Sequence, residues 1–105
     1  MVEKLLFVCT ENRNRSPSAA RLFSGKAHTQ SAGTGFYAEV TVTPELLEWA
    51  DVVVCMEEHH RDSLRRRFKS AMRGRRCVVL DVPDVYDPDE PALLDLLREK
   101  MPAFA

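Results

Sequence analysis

The sequence predicts an α/β fold in which a four-stranded parallel sheet lies between two layers of helices. Three observations lead to this prediction. Four short strand-like runs are spaced along the 105 residues. Segments with helix-start signals or helical periodicity separate these runs, and strands that alternate with helices form parallel sheets. The length suits one domain with one hydrophobic core, so we expect residues 1–105 to form a single domain.

The predicted strands differ in strength. Residues 4–8 and 51–56 are continuous apolar runs, the second with three consecutive valines, and residues 77–82 form a similar run. Such runs are typical of parallel strands buried on both faces. The strand predicted at residues 28–32 is more polar and ends at the turn residues Gly33-Thr34-Gly35. Together these runs predict a four-stranded sheet.

Four predicted helices fill the intervals between and after the strands. The first begins at Ser16-Pro17 and ends near Gly25, because proline suits the first turn of a helix and glycine suits its end. Thr43 is the predicted N-cap of a helix that runs to Trp49.

The other two helices lie in the second half of the chain. Residues 59–73 form a predicted basic helix with Leu64, Phe68 and Met72 as its apolar stripe, and residues 90–100 form the closing helix.

Composition excludes several classes of protein. The net charge is −1, so no overall attraction to nucleic acid or membrane is expected. No apolar run approaches the roughly 20 residues that cross a bilayer, and the first residues lack a secretion signal, which indicates a cytoplasmic protein without a membrane partner. Three cysteines, an odd number without zinc spacing, argue against a disulfide framework or zinc site. Cys55 and Cys77 lie in apolar runs and are expected to be buried.

Residues 9–18 connect the first predicted strand to the first helix, where parallel sheets place their ligand sites. The backbone N–H groups of a tight loop can converge on an anion, and the following helix N-terminus favours the same charge. Arg15 would donate two parallel hydrogen bonds to phosphate oxygens. Cys9 would act as a thiolate nucleophile, with the Ser16 hydroxyl bonded to its sulfur. The loop therefore predicts a phosphate or sulfate site that carries a reactive thiol.

The pattern Cys-x-x-Asn-x-x-Arg-Ser-Pro in this loop resembles the active-site loop of the low-molecular-weight protein tyrosine phosphatases. Three further segments resemble that family in the same order: residues 31–34 (Ser-Ala-Gly-Thr), residues 50–57 and residues 82–86 (Val-Pro-Asp-Val-Tyr). The resemblance implies a flavodoxin- or Rossmann-like topology. It also implies a cysteine-dependent, metal-independent phosphate monoester hydrolase, specifically a protein tyrosine phosphatase, with no cofactor.

The resemblance also implies the catalytic roles. Cys9 would attack phosphorus to form a phosphocysteine, and Arg15 would bind the phosphoryl oxygens. Asp84 would protonate the leaving oxygen and then activate water. Asp81 and Asp87 lie in the same acidic stretch and stay alternatives for this acid.

Further substrate contacts are implied for the rest of the loop and for an aromatic residue at the rim of the pocket: Thr10, Glu11, Asn12, Arg13, Asn14, Ser16 and Tyr86. Asn12 would adopt a strained backbone conformation that asparagine tolerates. Phe36 and Tyr37 would form the opposite wall or pack structurally. The expected partner is a phosphorylated protein or a small phosphate ester, and the protein is expected to be a monomer or weak dimer.

The chain departs from the family pattern in ways that leave its substrate open. Glu11 stands where the family has glycine, and Arg13 where it has a small or aliphatic residue. Asn14 stands where a second cysteine is frequent, and Val85 replaces a proline. The chain is also shorter than a typical member, and the missing part falls between Thr34 and Asp51, which helps to form the substrate cleft in the family.

Two alternatives remain at this point. An arsenate reductase uses a similar loop with two further cysteines, but these are normally close in sequence, unlike Cys55 and Cys77. A module that binds nucleic acid or an acidic partner could use residues 61–76, which carry eight basic side chains and one acidic one. Nucleic acid is the less expected partner, because such a run is usually the solvated face of a helix. His59 and His60, at the start of this segment, are expected to lie on the surface.

Overall fold

The computed structural model describes residues 3–104 and contains strands and helices in alternation. In chain order they are β1 (Lys4–Cys9), α1 (Arg15–Phe23), β2 (His28–Gly33), α2 (Pro44–Trp49), β3 (Val52–Cys55), α3 (Glu58–Arg67), α4 (Lys69–Met72), β4 (Arg76–Val79) and α5 (Pro91–Lys100), followed by a 3₁₀ turn at Pro102–Phe104. Within the described part of the chain, no helix has the length and apolar character needed to cross a membrane.

The four strands form one parallel sheet in the order β2-β1-β3-β4. The strand β1 lies at its centre, where Val8 pairs with Ala32 on one side and with Cys55 on the other. The chain leaves β1 toward β2 in one direction and later returns to β3 in the other, so the order reverses beside β1. Ligand sites of such sheets lie at this reversal, beyond the carboxyl ends of the strands. The fold class predicted from the sequence is confirmed.

The two faces of the sheet are covered by separate hydrophobic clusters, because alternate residues of a strand point to opposite faces. Leu5 and Phe7 of β1 pack with α1 and α5 on one face, where the Phe7 and Phe23 rings are 5.9 Å apart. Leu6 and Val8 pack with α2, α3 and α4 on the other face. Burial of each large side chain stabilises the fold by about 1.5–3 kcal/mol. Helices on both sides thus bury β1, from whose carboxyl end the following loop starts.

Two predicted elements differ from the structure. The prediction of one continuous basic helix over residues 59–73 is wrong. The segment forms two helices, α3 and α4, which are separated at Phe68, whose φ and ψ are −129° and 52°. This break allows Phe68 and Met72 to reach the core from a second, differently directed helix. The N-cap predicted at Thr43 is confirmed, because its side chain accepts a hydrogen bond from the Leu46 backbone N–H at 3.2 Å.

The fourth strand is shorter than the predicted residues 77–82, because the ladder ends at Val79. Asp81 adopts a left-handed conformation with φ 57°, which a strand does not tolerate. The chain nevertheless stays beside β3: Leu80 donates to the Cys55 carbonyl at 2.9 Å, and Val82 to the Met56 carbonyl at 2.8 Å. The local turn at Asp81 directs the following acidic segment toward the carboxyl end of β1.

Candidate active site

The loop after β1 is closed by hydrogen bonds around the sulfur of Cys9. The Asn12 backbone N–H donates to Cys9 Sγ at 3.2 Å, and Ser16 Oγ lies 3.0 Å from the same sulfur. Ser16 Oγ also donates to Asn12 Oδ1 at 2.9 Å. Asn12 has φ 56°, a left-handed conformation that asparagine tolerates better than most residues. The strained conformation expected at Asn12 is present, and the loop curls around a buried thiol.

A second loop, residues 33–39, supports the first from outside. Thr34 donates to the Cys9 carbonyl at 3.0 Å, Gly35 to the Thr10 carbonyl at 2.8 Å, and Glu39 to the Glu11 carbonyl at 3.0 Å. The two loops approach so closely that a Cβ atom at Gly33 would clash with the Thr10 carbonyl oxygen. The loop after Cys9 is therefore held in shape largely by backbone contacts.

Arg15 begins α1 and is 2% exposed, so its guanidinium is fixed by partners inside the protein. Its Nη1 donates to Glu57 Oε2 at 2.5 Å and to the Val82 carbonyl at 2.8 Å, and its Nε lies 3.7 Å from Asp84 Oδ1. The hydrogen bond from Arg15 lowers the pKa of Glu57, so this carboxylate stays charged opposite the guanidinium. Nη2 makes no hydrogen bond to the described residues, which leaves its donors for an oxyanion.

A cavity of about 290 Å³ opens above the sulfur. Its walls combine two cationic, two acidic and two further polar or nucleophilic side chains: Cys9, Glu11, Arg13, Asn14, Arg15 and Asp84. Arg13 lies 3.8 Å from Glu11 and 3.5 Å from Glu39, all three half-exposed or more, so these ion pairs are weak. The cavity thus brings a thiol, a buried guanidinium and a carboxylate to one point.

Among the three acidic candidates, Asp84 is the one that lines this cavity. Asp81 lines a separate depression with Glu57 and Pro83, and Asp87 is exposed. The geometry therefore favours Asp84 as the group nearest to a bound anion.

The aromatic residues named from the sequence lie outside the cavity walls. Tyr86 is half-buried and packs against the core cluster on the α1–α5 face, while its carbonyl accepts a hydrogen bond from Asn14 Nδ2 at 2.9 Å. Phe36 and Tyr37 are 87% and 84% exposed, with their ring centroids 5.2 Å apart. They belong to the supporting loop and are open to solvent.

His60 is a residue of this site that the sequence did not reveal. The expectation that it lies on the surface is wrong, since its side chain is fully buried. Its Nδ1 accepts a hydrogen bond from the Glu57 backbone N–H at 3.0 Å, and its Nε2 lies 2.8 Å from Thr10 Oγ1. Burial lowers the pKa of His60 to about 4, assisted by the nearby charges of His59 and Arg15. The signal in the sequence was its position three residues after Glu57, the N-cap of α3, where it completes a capping box.

Glu57, His59 and His60 also lie close enough together to suggest a metal site. The donor set does not favour one. The Nδ1 lone pair of His60 is occupied by the Glu57 N–H, and the Glu57 carboxylate is bonded to Arg15. A cation there would have to replace contacts that hold the loop.

The other two cysteines lie across the sheet from the site. Cys55 and Cys77 have their sulfurs 3.8 Å apart and belong to the cluster on the α2–α4 face, whereas Cys9 belongs to the cluster on the opposite face. Cys55 is buried as expected, but Cys77 is partly exposed. A disulfide relay of the arsenate reductase kind needs cysteines that can reach the nucleophile. These two are separated from Cys9 by the sheet.

Two arginines of the basic segment, residues 61–76, stabilise the fold by donating hydrogen bonds to backbone carbonyls. Arg67 donates to the Thr34 carbonyl at 2.7 Å and so contacts the supporting loop, and Arg75 donates to the Ala50 carbonyl at 2.8 Å. Four cations of this segment are exposed and make neither an ion pair nor a hydrogen bond with the described residues: Arg65, Arg66, Lys69 and Arg73.

Comparison with known proteins identifies the fold. No protein-family model and no curated protein sequence matches the chain. Among solved structures, the tyrosine phosphatase Wzb from Escherichia coli K30, in complex with phosphate, is 23% identical with a TM-score of 0.75 and covers 98% of this chain and 96% of its own. Wzb from Vibrio vulnificus, in complex with benzylphosphonate, is 22% identical with a TM-score of 0.78, covering 98% and 97%.

A third similar structure is that of an arginine phosphatase. The YwlE arginine phosphatase from Geobacillus stearothermophilus is 25% identical with a TM-score of 0.67, covering 96% of this chain and 94% of its own. The structural resemblance to the low-molecular-weight tyrosine phosphatases, inferred above from short motifs, is thus confirmed at the level of the fold over nearly the whole chain.

Proposed function

From the low-molecular-weight tyrosine phosphatase fold, we propose that this protein is a cysteine-dependent hydrolase of phosphate monoesters that works through a phosphocysteine intermediate. One observation carries the proposal. The buried sulfur of Cys9 lies at a cavity whose walls include Arg15 and Asp84, so nucleophile, oxyanion-binding group and proton donor share one small space. These are the three groups that transfer of a phosphoryl group through a covalent intermediate requires.

The first step forms the intermediate. Cys9 Sγ attacks phosphorus, an S–P bond forms, and the bond between phosphorus and the ester oxygen breaks. Asp84 gives its proton to the departing oxygen, so that a neutral alcohol leaves. The loop amides, the N-terminus of α1 and Arg15 meet the negative charge on the phosphoryl oxygens.

The second step regenerates the enzyme. Asp84, now a carboxylate, takes a proton from a water molecule that attacks phosphorus. The S–P bond breaks, inorganic phosphate forms, and Cys9 leaves as a thiolate. The Asn12 N–H, 3.2 Å from the sulfur, supports that charge, and the Ser16 hydroxyl, 3.0 Å from it, does so when its single proton turns from Asn12 Oδ1 to the sulfur. In both steps the loop amides, the N-terminus of α1 and Arg15 stabilise the negative charge on the phosphoryl oxygens. The proposed reaction therefore needs no metal or cofactor.

Phosphotyrosine in a protein is the substrate that we propose to test first. Wzb from Escherichia coli K30 is a tyrosine phosphatase, and the Vibrio vulnificus Wzb structure holds benzylphosphonate, a phosphonate that carries an aromatic ring. YwlE, an arginine phosphatase on the same fold, makes phosphoarginine the matching comparison. A cytoplasmic location belongs to the same proposal, since a reducing compartment protects a thiolate nucleophile from oxidation.

The decisive experiment is hydrolysis of para-nitrophenyl phosphate in the presence of a chelator, by wild type and by Cys9→Ser. We expect turnover by the wild type and none by the variant. Mass spectrometry of the wild type quenched during turnover should find one added phosphate, located on Cys9. Turnover that requires an added metal, or full activity of Cys9→Ser, would overturn the proposal.

A further inference from the structure

The first turn of α3 holds both ends of the loop that surrounds Cys9. The carboxylate of Glu57 binds Arg15, the last residue of that loop, and the ring of His60 binds Thr10, the first residue after the cysteine. A third hydrogen bond joins the two supports, because the Glu57 N–H donates to His60 Nδ1. We propose that His60 is a positioning residue for phosphate binding and transfer, acting through the Thr10 hydroxyl. This inference rests on the proposed phosphatase function.

The hydrogen bonds define which tautomer His60 adopts. Nδ1 faces a backbone N–H and must accept, so it carries no proton. The neutral ring then has its proton on Nε2, which donates to Thr10 Oγ1 at 2.8 Å. A protonated ring would have no lone pair for the Glu57 N–H. The contact therefore works in the neutral form, and this agrees with full burial.

Thr10 is fixed by two contacts as a result. Its hydroxyl accepts from His60, and its carbonyl accepts from the Gly35 N–H at 2.8 Å. With side chain and carbonyl both held, the peptide between Thr10 and Glu11 has one orientation. That peptide supplies an N–H group to the loop that would bind the phosphoryl oxygens.

Burial of an imidazole is costly unless both nitrogens find partners. A leucine has similar volume and would suit the apolar cluster around α3, so packing alone does not call for histidine at this position. What histidine adds is a donor aimed at Thr10 and an acceptor aimed at Glu57. Both targets belong to the walls or the supports of the cavity. The two contacts place the role of His60 in the site rather than in the core.

The inference predicts that the effects of changing His60 and Thr10 are coupled. Loss of the contact lets the first peptide of the loop move, and a misplacement of about 1 Å can cost up to about a hundredfold in rate. We expect His60→Leu and Thr10→Val each to lower kcat about tenfold or more and to weaken inhibition by inorganic phosphate. The double variant should be no worse than the poorer single variant, because neither residue acts without the other. Thr10→Ser, which keeps the hydroxyl, should retain most of the activity.

Stability provides the contrast with a purely structural role. Leu64→Ala is the matched control, since Leu64 is fully buried on α3, one turn beyond His60, and belongs to the apolar cluster on the α2–α4 face. We expect it to lower the unfolding temperature while the inhibition constant for phosphate stays within about twofold of wild type. If His60→Leu fails to fold, the comparison of Thr10→Val with Thr10→Ser carries the test, because Thr10 is only partly buried.

Three outcomes separate the proposals. Additive effects of His60→Leu and Thr10→Val would overturn the role of His60, as would a Thr10→Val protein that matches wild type in kcat and phosphate inhibition. A wild type that does not hydrolyse para-nitrophenyl phosphate would overturn the proposed function instead. In that case calorimetric titration with inorganic phosphate still measures the coupling, and a coupled loss of affinity would support positioning of an anion site.

Discussion

Asn14 Nδ2 donates to the carbonyl oxygen of Tyr86 at 2.9 Å, across 72 positions of sequence. This bond joins the loop that surrounds the nucleophile to the segment that carries Asp84, two residues before Tyr86. This contact therefore fixes the segment of the proposed acid, Asp84, relative to the loop of the proposed nucleophile, Cys9. Asn14 stands where a second cysteine is frequent in the family that the loop resembles.

Asn14→Ala should therefore disturb the position of Asp84 more than the position of Cys9. We expect kcat to fall about three- to tenfold, corresponding to the net value of one hydrogen bond of roughly 0.5–1.5 kcal/mol. The loss should be larger for phenyl phosphate than for para-nitrophenyl phosphate, because a poorer leaving group depends more on protonation. Equal losses for the two esters would show that Asn14 does not act through Asp84.

Asp84→Asn should be the most damaging change in the acidic segment. We expect kcat for phenyl phosphate to fall by about 10²–10⁴, the usual contribution of a general acid. Asp81→Asn is a suitable control, because Asn also tolerates the left-handed conformation of Asp81, with φ 57°. For Asp81→Asn and Asp87→Asn, kcat should stay within a few-fold of wild type. A greater loss for either variant than for Asp84→Asn would identify that residue as the general acid instead.

The stability of the folded protein should depend on pH through His60. Burial, with the charges of His59 and Arg15, lowers its pKa from an ordinary 6.5 to about 4, while Glu57 opposes the shift. Between these values the unfolded chain binds a proton that the folded protein does not. The free energy of unfolding should therefore decrease as pH falls from 6.5 to 4, by an amount on the order of 3 kcal/mol.

Urea unfolding at several pH values, compared between wild type and His60→Leu, measures this contribution. The difference between the two proteins should narrow as the pH falls through this window and stay constant above pH 7. Other titrating groups cancel in the comparison, since both proteins contain them. A difference that does not change with pH would mean that His60 has the same pKa in the folded protein as in the unfolded chain.

Gly33→Ala should damage the site from outside the cavity. A Cβ atom there would clash with the Thr10 carbonyl, so either the supporting loop or the loop around Cys9 must move. We expect a loss of about 1–3 kcal/mol in stability, typical of overpacking, together with a lower kcat. Gly25→Ala is the matched control, since no atom lies within 4 Å of the added carbon, and activity there should be unchanged. Unaltered kinetics for Gly33→Ala would contradict the close support between the loops.

The parts that could be predicted from the sequence are those specified by neighbouring residues. The turn around Cys9 and the strained Asn12 follow from a short motif, and the central strands follow from continuous apolar runs. The burial of His60 depends on Thr10, 50 positions away, and on the packing of α3 against the sheet. The residues next to His60 indicate its place in the capping box of α3, but they give no sign of Thr10 as its partner.

Other errors have the same origin. The apolar stripe through Phe68 is equally compatible with one helix or two, and the break depends on how α4 reaches the core. The left-handed conformation of Asp81 depends on hydrogen bonds to β3 that flank it on both sides. Periodicity along a segment does not contain this information, because it comes from contacts made after the chain has folded.

Because residues 33–39 hold the loop around Cys9 through its backbone, the conformation of that loop does not depend on the side chains at its exposed positions. Three backbone hydrogen bonds hold the carbonyls of Cys9, Thr10 and Glu11, whichever side chains stand there. Glu11 and Arg13, which face the cavity, can therefore be exchanged by directed evolution while the reactive sulfur keeps its surroundings. These two positions are therefore the first to randomise in a search for altered substrate selectivity of the proposed phosphatase.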